Sequence, residues 1–158
     1  MNPQPDTATM TTTQTLVFEP TSAGGGSLWD GDNLLATLTV LKREERQGRL
    51  SLRGANHAYD MLRSTHQQHV GYRMMKDLRQ VADAEWNTGD PSATLHYKGQ
   101  DYVATPESLN IRGDRLLLTL SPDWTVQQTE LGVAGSADLP LIAFYLFVAY
   151  DLNQSARQ

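Results

Sequence analysis

The stretch Asp138-Leu-Pro-Leu-Ile-Ala-Phe-Tyr-Leu-Phe-Val-Ala-Tyr-Asp151 decides the fold of this chain. Between its two aspartates there is no charged residue and nothing more polar than tyrosine. Asp138 can cap the free N–H groups of a helix, and Pro140 suits a first turn, where its missing N–H is not needed. A helix over 138–153 would be apolar on every side, yet it is shorter than the roughly 20 apolar residues that span a bilayer. We therefore predict a helix that the rest of the protein encloses.

The composition is that of an acidic globular protein. The 158 residues are 39% hydrophobic and 20% charged, with a net charge of −5 at pH 7. This charge argues against a nucleic-acid binder, because contacts to phosphates need a cationic surface. The chain has no cysteine, which excludes disulfides, thiolate chemistry and cysteine zinc sites.

The first residues, 1–14, are polar and rich in threonine. They contain no apolar run, which a signal peptide or a membrane anchor would need. We therefore predict a disordered or loosely attached N-terminal tail, no transmembrane segment and a cytoplasmic location.

Alternating apolar residues predict strands over most of 15–132. Every second residue from Leu34 to Val40 is apolar, and 49–53 alternates between polar and apolar side chains. Turn residues recur at 88–91, 98–101, 112–114 and 121–123. Turns about every 8 to 12 residues favour an all-β sandwich or barrel, here of roughly ten to twelve strands.

Two segments near the N-terminus are interpreted as loops. The three glycines at 24–26 lack the lysine and the following helix of a phosphate-binding loop. We interpret them as a loose loop without a binding role. Residues 29–33, Trp-Asp-Gly-Asp-Asn, are interpreted as a tight turn. Asp30 and Asp32 are too few ligands for a calcium loop.

Residues 70–86 admit two interpretations. One is an amphipathic helix, because apolar residues recur at helical spacing at Val70, Met74, Leu78 and Val81. The other is a hairpin that turns at 77–79. Its second strand would carry Ala82, Ala84 and Trp86 on one face, the inner one. The pattern alone does not decide between them.

The strands and the closing helix complete each other. A ring of more than about eight strands has an interior that must be filled, and the apolar helix needs enclosure on all sides. We therefore predict a mainly β fold, a closed and mostly antiparallel barrel of about twelve strands that encloses the C-terminal helix. Such a barrel leaves no sheet edge open, and residues 15–158 would form it as a single domain.

The chain resembles the tubby C-terminal-like superfamily in three features. They are the opening Trp29-Asp-Gly-Asp-Asn-Leu-Leu-Ala36, the repeated strand–turn–strand units and the closing segment 138–152. This superfamily includes the LURP-one-related proteins and the phospholipid scramblases, and the resemblance covers residues 16–153. It implies a helix inside the barrel and a hairpin over 72–86, in which a residue pair replaces the usual glycine turn. We favour the hairpin for that reason. The resemblance also implies contact with phosphoinositide head groups, although no lysine–arginine pair matches position by position.

Residues with catalytic or metal-binding chemistry are sparse. His66 and His69 form the nearest thing to a metal pair, but no third ligand stands out. Ser64 lies near His66 without a nucleophile elbow, and Asp83 and Glu85 are interpreted as a solvated pair on an outer sheet face. We therefore predict no catalytic residue, no cofactor and no metal.

The candidate binding residues are four arginines on neighbouring strands, because the planar arginine side chain suits anions: Arg49, Arg53, Arg63 and Arg73. The alternative is that they are ordinary outward residues balanced by nearby carboxylates. We predict a non-catalytic binding or interaction module whose partner is an unknown protein or a small anionic ligand. A peripheral binder of anionic lipid head groups is the alternative, and an enzyme of unknown class is the second alternative.

Overall fold

The computed structural model describes residues 14–21, 25–42, 47–53, 58–112, 116–128 and 138–156. These residues form twelve strands and one helix, which we number in chain order. They are β1 Gln14–Pro20, β2 Gly26–Asp30, β3 Asn33–Lys42, β4 Gln47–Leu52, β5 Ala58–His66, β6 His69–Lys76, β7 Arg79–Asn87, β8 Ala93–Tyr97, β9 Gln100–Ala104, β10 Ser108–Ile111, β11 Leu116–Leu120, β12 Thr125–Gln128 and α1 Leu139–Ala156.

The twelve strands form a closed barrel. Each strand pairs antiparallel with the strand before it and the strand after it in sequence, and β1 pairs with β12 to close the ring. Leu16 lies opposite Val126 at this closure. The predicted mainly β fold, a barrel of about twelve strands with a C-terminal helix, is confirmed.

The connections alternate between two ends of the barrel, because successive strands run in opposite directions. The connections that follow even-numbered strands lie at the end where α1 begins, and Tyr97 Oη there donates to Asp138 at 3.0 Å. Those that follow odd-numbered strands lie at the other end, where Asn153 donates to the carbonyl oxygen of Pro106 at 3.1 Å. We call the two the helix-entry end and the helix-exit end.

The helix α1 fills the barrel. Asp138 caps it as predicted, because its Oδ1 accepts a hydrogen bond from the backbone N–H of Leu141 at 3.0 Å. Every side chain from Leu141 to Ala149 is buried. In the part of the chain that the structure describes, no helix combines the length and the hydropathy that crossing a bilayer requires.

The barrel wall supplies the other half of the core. Alternate residues of the strands point inward, and many of those around α1 are large and apolar, such as Leu50, Met61 and Met74. Others are small, and close packing against the aromatic residues of α1 needs such a mixture of sizes. The buried alanines of the wall are Ala36, Ala82, Ala84, Ala93 and Ala104.

The segment 70–86 is a hairpin of β6 and β7, and the helical alternative is wrong. Inward-facing Ala84 lies opposite Tyr72, and both are buried. The connecting residues Asp77 and Leu78 have φ angles of 53° and 66°. A two-residue hairpin turn commonly needs positive φ at both positions, and here neither residue is glycine.

The interpretation of the first loops is wrong in two places. Gly25 and Gly26 do not belong to a loose loop. Both are buried, and a Cβ atom on Gly26 would overlap the backbone oxygen of Glu19 in β1. Residues 26–30 form β2, which the sequence did not predict, and the turn is confined to residues 31–32. Residues 1–13 of the predicted tail lie outside the described residues, and residue 14 begins β1.

Candidate functional site

The structure does not bring the four candidate arginines together. Arg63 lies on the inward face of β5, the face of buried Met61, whereas Arg49, Arg53 and Arg73 are exposed on the outside of the barrel. Arg49 Nε donates to Asp60 Oδ1 at 3.1 Å, and both side chains are about half exposed. A shared anion site of all four would need Arg63 on the outer face.

Arg63 belongs to a partly buried polar network at the helix-exit end. Its Nε donates to Oδ2 of Asp151 at 2.8 Å, and Tyr72 Oη donates to the same oxygen at 2.7 Å. Trp86 Nε1 in turn donates to Tyr72 Oη at 2.9 Å. Burial raises the pKa of Tyr72, and the negative charge of Asp151 raises this pKa further. Tyr72 therefore stays protonated as a donor, and the network joins α1 to β5, β6 and β7.

Other polar groups of α1 are also used to hold the helix in place. At the helix-entry end, Tyr97 Oη contacts both carboxylate oxygens of Asp138, and Lys98 Nζ lies 3.4 Å from one of them. At the helix-exit end, Tyr145 Oη donates to the carbonyl oxygen of Thr105 at 2.8 Å. Burial raises the pKa of both tyrosines, so both remain hydrogen-bond donors.

The three tryptophans lie in different surroundings. Trp86 is buried. Trp124 stacks on Tyr150 of α1 with 6.4 Å between ring centroids, and Trp29 Nε1 donates to Glu19 at 2.9 Å.

A row of charged side chains crosses the outer face of β7, β8 and β9. His96 Nδ1 lies 2.7 Å from Asp83 Oδ1, and His96 Nε2 lies 3.5 Å from Asp101 Oδ1. Arg112 Nη1 follows at 3.9 Å from Asp101. The hydrogen bond to Asp83 raises the pKa of His96. These contacts place side chains of opposite charge next to one another on a solvent-exposed surface, where each ion pair contributes little to stability.

The remaining candidate residues lie at the helix-exit end or on the outer face. His66 and His69 face each other across the β5–β6 hairpin, and both are exposed. Glu85 is outward, as predicted, and its Oε2 lies 3.4 Å from His69 Nε2. Within the described ranges, no group of three or more histidine, aspartate and glutamate side chains is placed to hold a metal ion.

A groove lies on the outer wall of the barrel at β4, β5 and β6. Its volume is about 350 Å³, and its chief lining residues are Arg49, Asp60, Leu62, Met75 and Leu78. Leu62 and Met75 are half-buried, whereas Leu78 is 96% exposed. We call this feature the β4–β6 groove. No sequence pattern indicates this groove, because its residues come from three strands and a turn.

The two ends of the barrel differ in charge. At the helix-entry end, the cations in or next to the described connections are Arg53, Lys76, Arg79, Lys98 and Arg112, and the acids are Asp30, Asp32, Asp77 and Asp138. In or next to the described connections of the helix-exit end, the cation is Lys42 and the acids are Asp90, Glu107 and Asp123. A negatively charged partner would therefore meet less repulsion at the helix-entry end.

Comparison with known proteins does not place the chain in a family, because no family model, no curated protein and no solved structure matches it. The fold defines a class of architecture, a closed antiparallel barrel of twelve strands around a central helix. The resemblance to the tubby C-terminal-like superfamily stays a prediction.

Proposed function

We propose that the protein is a non-catalytic binding module that acts through the outer surface of its barrel. The filled interior carries this proposal, because α1 occupies the space in which other barrels hold a small ligand. The side chains of Arg63, Tyr72 and Asp151, which are buried or partly buried, are hydrogen bonded to one another and already have partners inside the protein. Recognition is therefore assigned to the exposed strand faces and turns.

A photo-crosslinking scan tests this proposal. A benzophenone amino acid is placed at one exposed position at a time, for example at Gln80 near the helix-entry end and at Gln68 in the helix-exit end. The full-length variants are irradiated in extracts of the source cells. We expect one crosslinked species from neighbouring positions and none from the opposite end. Crosslinks spread evenly over the surface, or none from any position, would contradict a dedicated binding surface.

Peripheral binding to anionic lipid head groups is the second candidate, and the cationic connections of the helix-entry end favour it. Each lysine or arginine near an anionic membrane contributes about 1 kcal/mol, and salt screens this attraction. Arg53 and Arg79 are exposed there and can approach a surface.

Vesicle co-sedimentation tests the lipid candidate. We expect binding to phosphatidylserine vesicles that falls as salt rises, and no binding to phosphatidylcholine vesicles. Changing Arg53 and Arg79 to glutamate should abolish the binding, whereas Glu107→Gln at the opposite end should not weaken it. Equal sedimentation with both lipids, or none at low salt, rejects this candidate.

A further inference from the structure

Trp124 has a backbone conformation that tryptophan rarely adopts. Its φ of 65° lies in the left-handed region, where a bulky side chain is an outlier. Residues 122–124 form a three-residue hairpin loop, because the N–H of Ser121 donates to the carbonyl oxygen of Thr125 at 3.0 Å. Glycine is the usual residue at the left-handed position of such a loop. The turn therefore does not explain the tryptophan.

The ring of Trp124 contacts two elements outside its own hairpin. Its centroid lies 5.8 Å from that of Phe18 in β1 and 6.4 Å from that of Tyr150 in α1. The carbonyl oxygen of Trp124 also accepts a hydrogen bond from the N–H of Phe18 at 3.0 Å. The side chain is half-buried and packs against the core. One residue in a strained conformation thus joins the β11–β12 hairpin to the first strand and the central helix.

The junction of β1 and β12, which we call the seam, differs from the other strand pairs of the barrel. Every other pair consists of consecutive strands, so one connection keeps the two strands close when their hydrogen bonds break. At the seam, Leu16 faces Val126, and the two strands are joined only through the rest of the barrel. Separating them gives the chain more conformational freedom than separating any other pair, and we expect local opening to begin there.

We propose that Trp124 is a latch that holds the seam closed on α1. The contacts of its ring with Phe18 and Tyr150 keep β1 against β12 and the helix, whereas the strain of its positive φ favours release. Opposed terms of this kind make a contact that can be released, and strained residues concentrate at such places. Release of the ring opens the seam and exposes the backbone N–H and C=O groups of β1 and β12. Extended peptide segments add to sheet edges of this kind.

Native-state hydrogen exchange of the full-length protein tests the latch. The reporter is the amide of Phe18, because it donates across the seam, and the reference is the amide of Tyr72 in β6, on the far side of the barrel. Trp124→Gly removes the ring, and we expect exchange at Phe18 to rise about tenfold more than exchange at Tyr72. Tyr150→Leu removes the other half of the stack and should give the same pattern.

Leu78→Gly is the matched control. Leu78 also has a positive φ, 66°, in a hairpin turn, but its side chain is 96% exposed. The substitution therefore removes the same backbone strain without removing a ring contact. Exchange at Phe18 should stay unchanged relative to exchange at Tyr72.

A disulfide across the seam separates release of the latch from general weakening of the fold. Val17 faces Thr125, and the chain has no cysteine of its own. Because the next pair along carries the hydrogen bond from Phe18, Val17 and Thr125 form a non-hydrogen-bonded pair. The Cα atoms of such a pair lie about 4.5 Å apart, which a disulfide can bridge. In the oxidised Val17→Cys/Thr125→Cys protein, Trp124→Gly should no longer accelerate exchange at Phe18, and reduction should restore the acceleration.

Three results would overturn the latch. An equal rise at Phe18 and Tyr72 in Trp124→Gly and Tyr150→Leu would show that the stacked rings only stabilise the fold as a whole. No rise at either amide would show that the ring does not hold the seam. Acceleration at Phe18 that persists in the oxidised protein would place the opening elsewhere in the barrel.

Discussion

Removing the carboxylate of Asp151 should weaken the whole fold, because this side chain joins the central helix to the barrel wall. It accepts hydrogen bonds from Arg63 and Tyr72, and the side chains of Arg63 and Asp151 are only 23% and 12% exposed. Breaking a fully buried ion pair costs about 3–5 kcal/mol. The partial exposure of Arg63 reduces our expectation for Asp151→Ala to about 2–3 kcal/mol, which includes the lost acceptor of the buried tyrosine hydroxyl.

Urea unfolding measures this loss. With an m-value of about 2 kcal/mol/M, the midpoint should fall by roughly 1 to 1.5 M while m stays constant. The matched control is Asp60→Ala, because Arg49 Nε donates to Asp60 at 3.1 Å in a similar contact that is about half exposed. An exposed pair contributes about 0.2–1 kcal/mol, so the control should change little. If the two variants lose equal stability, burial is not what makes the Asp151 contact strong.

Three further perturbations probe the packing and the outer face. Phe144→Asp places an unpaired charge in the barrel interior and should abolish soluble folding, and a cooperative thermal transition in this variant would contradict an enclosed helix. Gly26→Ala should lower the melting temperature, because its Cβ atom would overlap the backbone of β1, whereas Gly89→Ala has open space and should not; equal melting temperatures would show that the β1–β2 contact is loose. His96 has a raised pKa, so its contact with Asp83 stabilises the fold at pH values below the ordinary value of about 6.5, and this contribution is lost as pH rises through the raised pKa. An NMR titration of Asp83→Asn should show the pKa of His96 lowered, and an unchanged pKa would assign the shift to another group.

The helix and most strands could be predicted because their signals are local. The block from Leu139 to Tyr150 has no polar face, so only enclosure suits it. Strands such as β4 and β11 show apolar residues at every second position or in a short run between turn residues. The barrel then follows, because a closed ring of strands both encloses the apolar helix and has its interior filled by it.

The parts that could not be predicted depend on residues far apart in sequence. β2 contains glycine, serine and aspartate, and its pairing with β1 and β3 gives it the extended conformation that its own residues do not favour. Arg63 and Asp151 are 88 residues apart in sequence, so no local pattern predicts their contact. The sequence signal for this contact is Arg63, a charged residue at an inward position of a strand. Leu78 opposes the usual residue preference of its turn, and sequence patterns are built on such preferences.

The order of synthesis gives the central helix a further consequence. Neighbouring strands are consecutive in the chain, so hairpins can pair as they leave the ribosome. The junction of β1 with β12 joins residues about as distant as Leu16 and Val126, and α1 is translated after both strands. Until α1 arrives, the inward faces of the nascent strands have no cover and expose apolar surface that favours aggregation. We therefore expect stalled ribosomes that halt before Leu139 to hold a chaperone-dependent chain, and release from the chaperone to follow synthesis of the helix.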